Sequence, residues 1–175
     1  MKKAVWALIN LLGGTAVIGS YACGFITHPD ASQVLWGGVP TGLRPLYTAC
    51  MFAAAAGYLA VAYFVLRLDT QETTVFGRSG FGVLSFLYTL VLVPSALWMS
   101  LTLLAIEHAS APWIWAVRLA LALVAAGSLG LLLAVLTTRP RPSTARYVLA
   151  LAGSAALCLQ TVILDAAVWS FYFHG

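Results

Sequence analysis

Five apolar runs, at roughly 4–26, 45–66, 82–106, 113–137 and 145–173, occupy most of this chain and decide what it can become. Each matches the roughly 20 residues that carry a helix across the hydrocarbon of a bilayer. Inside lipid a backbone must satisfy its own N–H and C=O groups, so an isolated run of this length folds as a helix. Only 8% of the residues are charged, against about 25% in soluble domains, so the chain lacks the polar surface to coat a globule in water. The fold class expected is an all-α integral membrane protein, a compact bundle of five transmembrane helices. The 175 residues accommodate five spans and short loops, which makes residues 1–175 one domain.

The separators read as loops. THPDASQVLWGGVPTGLR is the longest and is rich in Gly and Pro; RLDTQETTVFGRSGFG holds four charges; EHASAP is short; TRPRPST stops one helix before the next with two prolines. With the N-terminus in the cytoplasm, Lys2, Lys3, Arg67, Arg78, Arg139, Arg141 and Arg146 fall on the inner side, and only Arg44 and Arg118 on the outer. That is the positive-inside pattern, and it puts the C-terminus outside. A multi-pass protein of a bacterial-type inner (plasma) membrane is the expected location. Lys2-Lys3, the apolar run after them and Ser20-Tyr21-Ala22 also fit a cleaved signal peptide, which would leave four spans in the same orientation.

The net charge of +4 comes with no Lys/Arg run interleaved with aromatics, so nucleic acid is not an expected partner. Cys23, Cys50 and Cys158 sit in apolar runs and read as small hydrophobes. Clusters of small residues at 53–57, 125–128 and 152–156 are expected to let helices pack closely.

Asp165 is the most informative residue, set in ILDAAVW about 12 Å from the outer end of the fifth run at 1.5 Å per residue. A charge at the centre of a span costs about 2.5–3.5 kcal/mol, so Asp165 should face the bundle and either find a partner or stay as a protonated, hydrogen-bonded carboxyl. Arg118, in the outer part of the fourth run, is the expected one. Gln160 lies about 140° around an α-helix from Asp165 and reads, like Asn10, as interhelical glue. Pro94, Ser95, Ser100 and Thr102 make the third span partly polar. Trp6, Trp113, Trp115 and Trp169 fall at span ends, the interfacial belt positions. Trp98 is too deep for a belt, and Trp36 belongs to a loop expected to fold over the outer mouth. His28, Glu107 and His108 gather on the outer side as weak candidates for a metal, without a ligand motif.

Leu46-Tyr47, Ser95-Ala96-Leu97-Trp98 and Leu164-Asp165-Ala166-Ala167-Val168-Trp169, in a five-span chain with a long first loop, resemble the translocator proteins, or tryptophan-rich sensory proteins. The chain departs from that family in two places. Trp36 is followed by Gly37-Gly38-Val39-Pro40 rather than a Pro-Pro pair, and Ser95 and Asp165 stand where the family has asparagine. The resemblance implies a pocket between helices, closed by the first loop, for a flat tetrapyrrole- or sterol-like ligand. It would place Trp36 in the lid, Trp98 on the wall, and Asp165 and Trp169 on the last helix.

Three functions are therefore in play. The first is binding or transport of a small hydrophobic ligand, with Trp36, Trp98, Arg118, Asp165 and Trp169 as ligand-contacting residues. The second is a non-catalytic subunit of a larger membrane complex, or a homo-oligomer, with lipid around it. The third is an enzyme acting on a lipid or quinone-like substrate through Asp165, Glu107 and His108. No GxSxG, HExxH, P-loop or GxGxxG signature points to catalysis, and no cofactor is implied by any motif.

Overall fold

The computed structural model describes residues 2–140 and 144–174. Five long apolar helices that could cross a membrane fall on the five runs, as Lys2–Thr27, Thr41–Leu66, Gly80–His108, Ala111–Thr137 and Thr144–Tyr172. The first is α1. After it come a one-turn helix, α2 (Ala31–Val34), then a 3₁₀ turn (Thr41–Leu43) that leads into α3 (Arg44–Leu66). The third and fourth spans are α4 (Gly80–His108) and α5 (Ala111–Thr137). The last span is composite: α6 (Thr144–Cys158), a π-helical stretch (Leu159–Trp169) and a final turn, α7 (Ser170–Tyr172).

Local chemistry punctuates these helices. Pro45 and Pro112 sit in the first turns of α3 and α5, where the missing N–H is one that no carbonyl needs. Pro94 lies inside α4 and leaves the Leu90 carbonyl without its usual donor. Ser95 Oγ donates to the next carbonyl along, that of Val91, at 2.7 Å.

In packing order, α1 lies on α4, α4 on α5, α5 on the last span, and the last span on α3. Small residues make the contacts close, as their clustering predicts. Gly57 of α3 and Gly153 of α6 bring two backbones together: a Cβ on Gly57 would overlap the Gly153 carbonyl oxygen, and one on Gly153 would lie 2.7 Å from that of Gly57. Tyr58 Oη donates to Asn10 Oδ1 at 2.5 Å and joins α3 to α1, so Asn10 is the interhelical glue it was read to be. By contrast, only Trp6 and Gly24 of α1 are buried. Its Leu8, Leu11, Leu12 and Ile18 face outward, which only a lipid solvent makes tolerable over such a length.

The two ends differ in construction. At the N-terminal end, the stretch between α3 and α4 is more ordered than a plain loop. A two-residue hairpin pairs β1 (Thr74–Val75) with β2 (Arg78–Ser79) across Phe76 and Gly77, at φ 52° and 69°. Positive φ at both central residues matches the twist of the flanking strands, which the Phe-Gly pair did not advertise. Thr74 and Arg139 also exchange backbone hydrogen bonds of 2.9 and 3.0 Å, tying this hairpin to the end of α5. Lys2 Nζ donates to Ser79 Oγ at 2.9 Å and Lys3 Nζ to the Leu68 carbonyl at 3.2 Å. Six of the seven basic residues expected on one side lie at this end or in the adjoining turns; Arg141 falls outside the described residues.

At the opposite end the long first loop folds back over the bundle, as expected. Val39 is buried within it, Gly37 and Gly38 lie against Phe173 and Tyr172, and Trp36 packs edge-on to Tyr47 at 6.2 Å with the Arg44 guanidinium 5.4 Å from its ring.

Candidate functional site

The π-helical stretch rearranges the polar residues of the last span. In a helix bonded i→i+5, residues five apart stack on one face. Gln160 therefore does not point away from Asp165, as α-helical geometry requires: its Nε2 donates to Asp165 Oδ1 at 2.7 Å. The glue expected between helices is an intrahelical bond that holds the carboxylate. The backbone is braced around it. The Asp165 carbonyl accepts from the Ser170 N–H and, at 3.2 Å, from Ser170 Oγ. Buried Tyr47 of α3 donates its hydroxyl to the Leu164 carbonyl at 2.8 Å.

Asp165 faces the interior of the bundle, as its cost in lipid demands. It lies within electrostatic range of the phenols of Tyr21 on α1 and Tyr47 on α3. From Tyr21 a continuous aromatic wall runs around the loop end. Tyr21 stacks on Trp98 at 5.9 Å, Trp98 meets Trp169 edge-on at 5.6 Å, and Trp169 stacks on Phe173 at 4.4 Å. Trp169 Nε1 donates to the Leu35 carbonyl at 2.9 Å and so fastens the folded-over loop to the last span. Three buried polar atoms at this end have no hydrogen-bond partner among the described residues: Trp98 Nε1, Gln160 Oε1 and Arg118 Nε.

Several expectations are corrected. Arg118 forms no ion pair with Asp165. Its guanidinium donates to the carbonyls of Ser170 and Phe173, at 3.4 Å each, and lies 5.2 Å from the Trp115 ring. The end of the last span exposes carbonyls that no N–H in the helix reaches and carries the negative end of its dipole, so it draws the cation away from the carboxylate. Trp169 is no belt residue: it is 4% exposed, beneath the loop and against Phe173. Trp6 is 2% exposed and edge-on to Tyr88 at 5.3 Å, inside the core rather than at an interface. Trp115, by contrast, is 65% exposed.

Of the weak metal candidates, His28 Nε2 and Glu107 Oε1 form an ion pair of 2.9 Å, and Thr27 Oγ1 shares a hydrogen bond with His28 Nδ1. His108 turns aside to pack edge-on against Trp113. Among the described residues no group of three His, Cys, Asp or Glu side chains could hold a metal ion. A groove of about 430 Å³ opens between α1 and α4 beside this pair, lined by Ser20, Gly24, His28 and Glu107 among others. None of the aromatic wall lines it, so the groove and the cluster around Asp165 are separate features.

Of the five residues proposed to contact a ligand, Trp98, Asp165 and Trp169 come together. Trp36 stands in the loop above them, and Arg118 faces the end of the last span. Tyr21, Tyr47 and Phe173 complete the cluster. The first two had a signal in the sequence, a phenol inside an apolar run, where the hydroxyl needs a partner. The molecule is thus an all-α membrane-type bundle with aromatic clusters. No family model matches the chain, and neither a curated protein nor a solved structure matches it.

Proposed function

We propose that this chain binds or transports a small hydrophobic ligand in a plasma-type inner membrane, with its N-terminal end in the cytoplasm. The observation that carries the reading is Asp165, an ionisable group held by Gln160 within electrostatic range of Tyr21, whose ring stacks into an aromatic cluster. A carboxylate kept in that setting without a basic partner works against the stability of the bundle, and intramembrane ionisable groups of this kind mark ligand or ion paths. Apolar and aromatic walls with a few convergent polar groups are the usual make-up of a small-molecule site. The basic residues at the N-terminal end support the orientation.

The rings touch one another, so a ligand enters only as they part. The folded-over loop is the natural gate: one hydrogen bond, Trp169 Nε1 to the Leu35 carbonyl, fastens it to the last span. The resemblance to the translocator proteins belongs to this reading, with Trp36 in the lid and Trp98 on the wall. Purification in mild detergent tests it. A co-purifying pigment or lipid that is lost from a folded Asp165→Ala variant is the result expected. A stoichiometric protein partner, with no small molecule bound, favours a subunit of a larger complex instead.

A further inference from the structure

Asp165 stands at the loop end of the bundle as an ionisable group without a counter-charge. Among the described residues no basic side chain pairs with it, and Arg118, the nearest expectation, is engaged by the carbonyls of Ser170 and Phe173. Its carboxylate takes one hydrogen bond, from Gln160 Nε2, and the carbonyl oxygen of that same carboxamide, Gln160 Oε1, is buried without a donor. The phenol of Tyr21 lies within electrostatic range of this carboxyl, and the Tyr21 ring stacks on Trp98, which meets Trp169; the faces of such rings carry the negative lobe of their quadrupole.

Carboxylate, bare carbonyl oxygen and aromatic faces all favour positive charge. A neutral flat ligand leaves the carboxylate uncompensated, and an anion is repelled. A small metal ion demands several oxygen ligands, and no such cluster of acidic residues exists among the described residues. A weakly hydrated organic cation satisfies all three features at once, since aromatic cages with a carboxylate are how ammonium groups are recognised.

We propose that the site takes an organic ammonium, a quaternary or protonated amine carried on an apolar body, with its head between Asp165 and Gln160 Oε1 and its substituents against Tyr21, Trp98 and Trp169. This rests on the reading of the cluster as a ligand site and names its chemical class. An internal control lies in the same molecule. The rings of Trp6, Tyr58 and Tyr88 form a second cluster, which also leaves a tryptophan N–H unpartnered, but no carboxylate accompanies it. An orphan indole is therefore not the mark of the site; the uncompensated carboxylate is.

The test uses the full-length protein in nanodiscs, with benzyltrimethylammonium and its uncharged carbon isostere neopentylbenzene as probes, and tryptophan fluorescence and calorimetry as readouts. The ammonium should bind at least about tenfold more tightly than the isostere. Asp165→Asn, which keeps shape and removes charge, should abolish that preference, and Trp98→Leu should weaken both probes. Equal binding of the two probes, with both lost in Trp98→Leu, overturns the ammonium while leaving a ligand site. Failure of both probes to bind the wild-type protein by calorimetry overturns the ammonium and the ligand site alike. The comparison of probes on the wild-type protein needs no variant to fold.

Discussion

The two aromatic clusters of this bundle are built from the same side chains and differ in one respect. Near the N-terminal end, Trp6, Tyr58 and Tyr88 meet edge-on at 5.3 and 5.5 Å within the largest apolar core, and their polar contact is the neutral bond from Tyr58 to Asn10. Near the loop end, Tyr21, Trp98 and Trp169 meet at similar distances, yet Tyr21 lies within electrostatic range of Asp165, which Gln160 holds on the π-helical stretch that also carries Trp169. The first cluster is what aromatic packing looks like when it serves only to join helices. The second contains a group that makes packing harder. Its π-helical backbone is a local departure of the kind that recurs at functional sites, and no equivalent departs from α-helix around Trp6.

Two of the three aspartates, Asp69 outside the bundle and Asp165 within it, repeat the lesson. Asp69, between α3 and the hairpin, is open to water and accepts hydrogen bonds from the Gln71 and Glu72 N–H groups at 2.6 and 3.2 Å. Those bonds hold its carboxyl below the usual value. The Asp165 carboxylate, partly enclosed in the bundle, takes its hydrogen bond from one carboxamide rather than from backbone N–H groups.

The comparison can be broken or sharpened by substitution. The largest effect is expected at the contact that supports both clusters. Gly57→Leu drives a side chain into the Gly153 carbonyl, where backbone rather than a flexible side chain must yield, and should cost about 3 kcal/mol or more. Unfolding in a detergent–SDS titration measures it; a stable variant would mean that α3 and α6 can separate freely. Next comes the pair Trp6→Leu and Trp98→Leu. Trp6 is fully enclosed, so its loss should cost about 2 kcal/mol. Trp98 is only half-buried and leaves its N–H unmet, so its replacement by an apolar group should cost less in stability and fall instead on binding. Equal destabilisation by the two would erase the distinction between packing cluster and binding cluster.

Tyr58→Phe removes only the bond to Asn10 and should cost about 0.6–1.7 kcal/mol, the range of interhelical hydrogen bonds in membranes. The smallest effect concerns the loop around Asp69. A carboxyl whose folded value is depressed stabilises above its unfolded value and loses that contribution as pH falls from about 4 through its lower folded value. A spin label at Glu72 should gain mobility over that window in the wild-type protein, and Asp69→Asn should flatten the change.

Much of this architecture was legible in the residues, because one requirement dominates in lipid: backbone groups must be satisfied within each segment. Apolar runs of sufficient length therefore located the five helices, and Gly57 and Gly153 announced a close crossing by being small. Asp165 was legible as an anomaly for the same reason. Its surroundings were not. The π-helical register that brings Gln160 to Asp165 depends on i→i+5 bonds, and periodicity read as α-helix sends the two apart. The choice of Arg118 between a carboxylate and the carbonyls of a helix end, and the burial of Trp6 and Trp169 rather than their display at an interface, hang on which helices become neighbours. Hydropathy and spacing act along one segment at a time and determine which stretches enter the membrane. The pairing of side chains from segments more than a hundred residues apart, as in Tyr47 with the Leu164 carbonyl, is decided only when the helices pack, because short-range contacts between separate segments have no trace in either sequence alone.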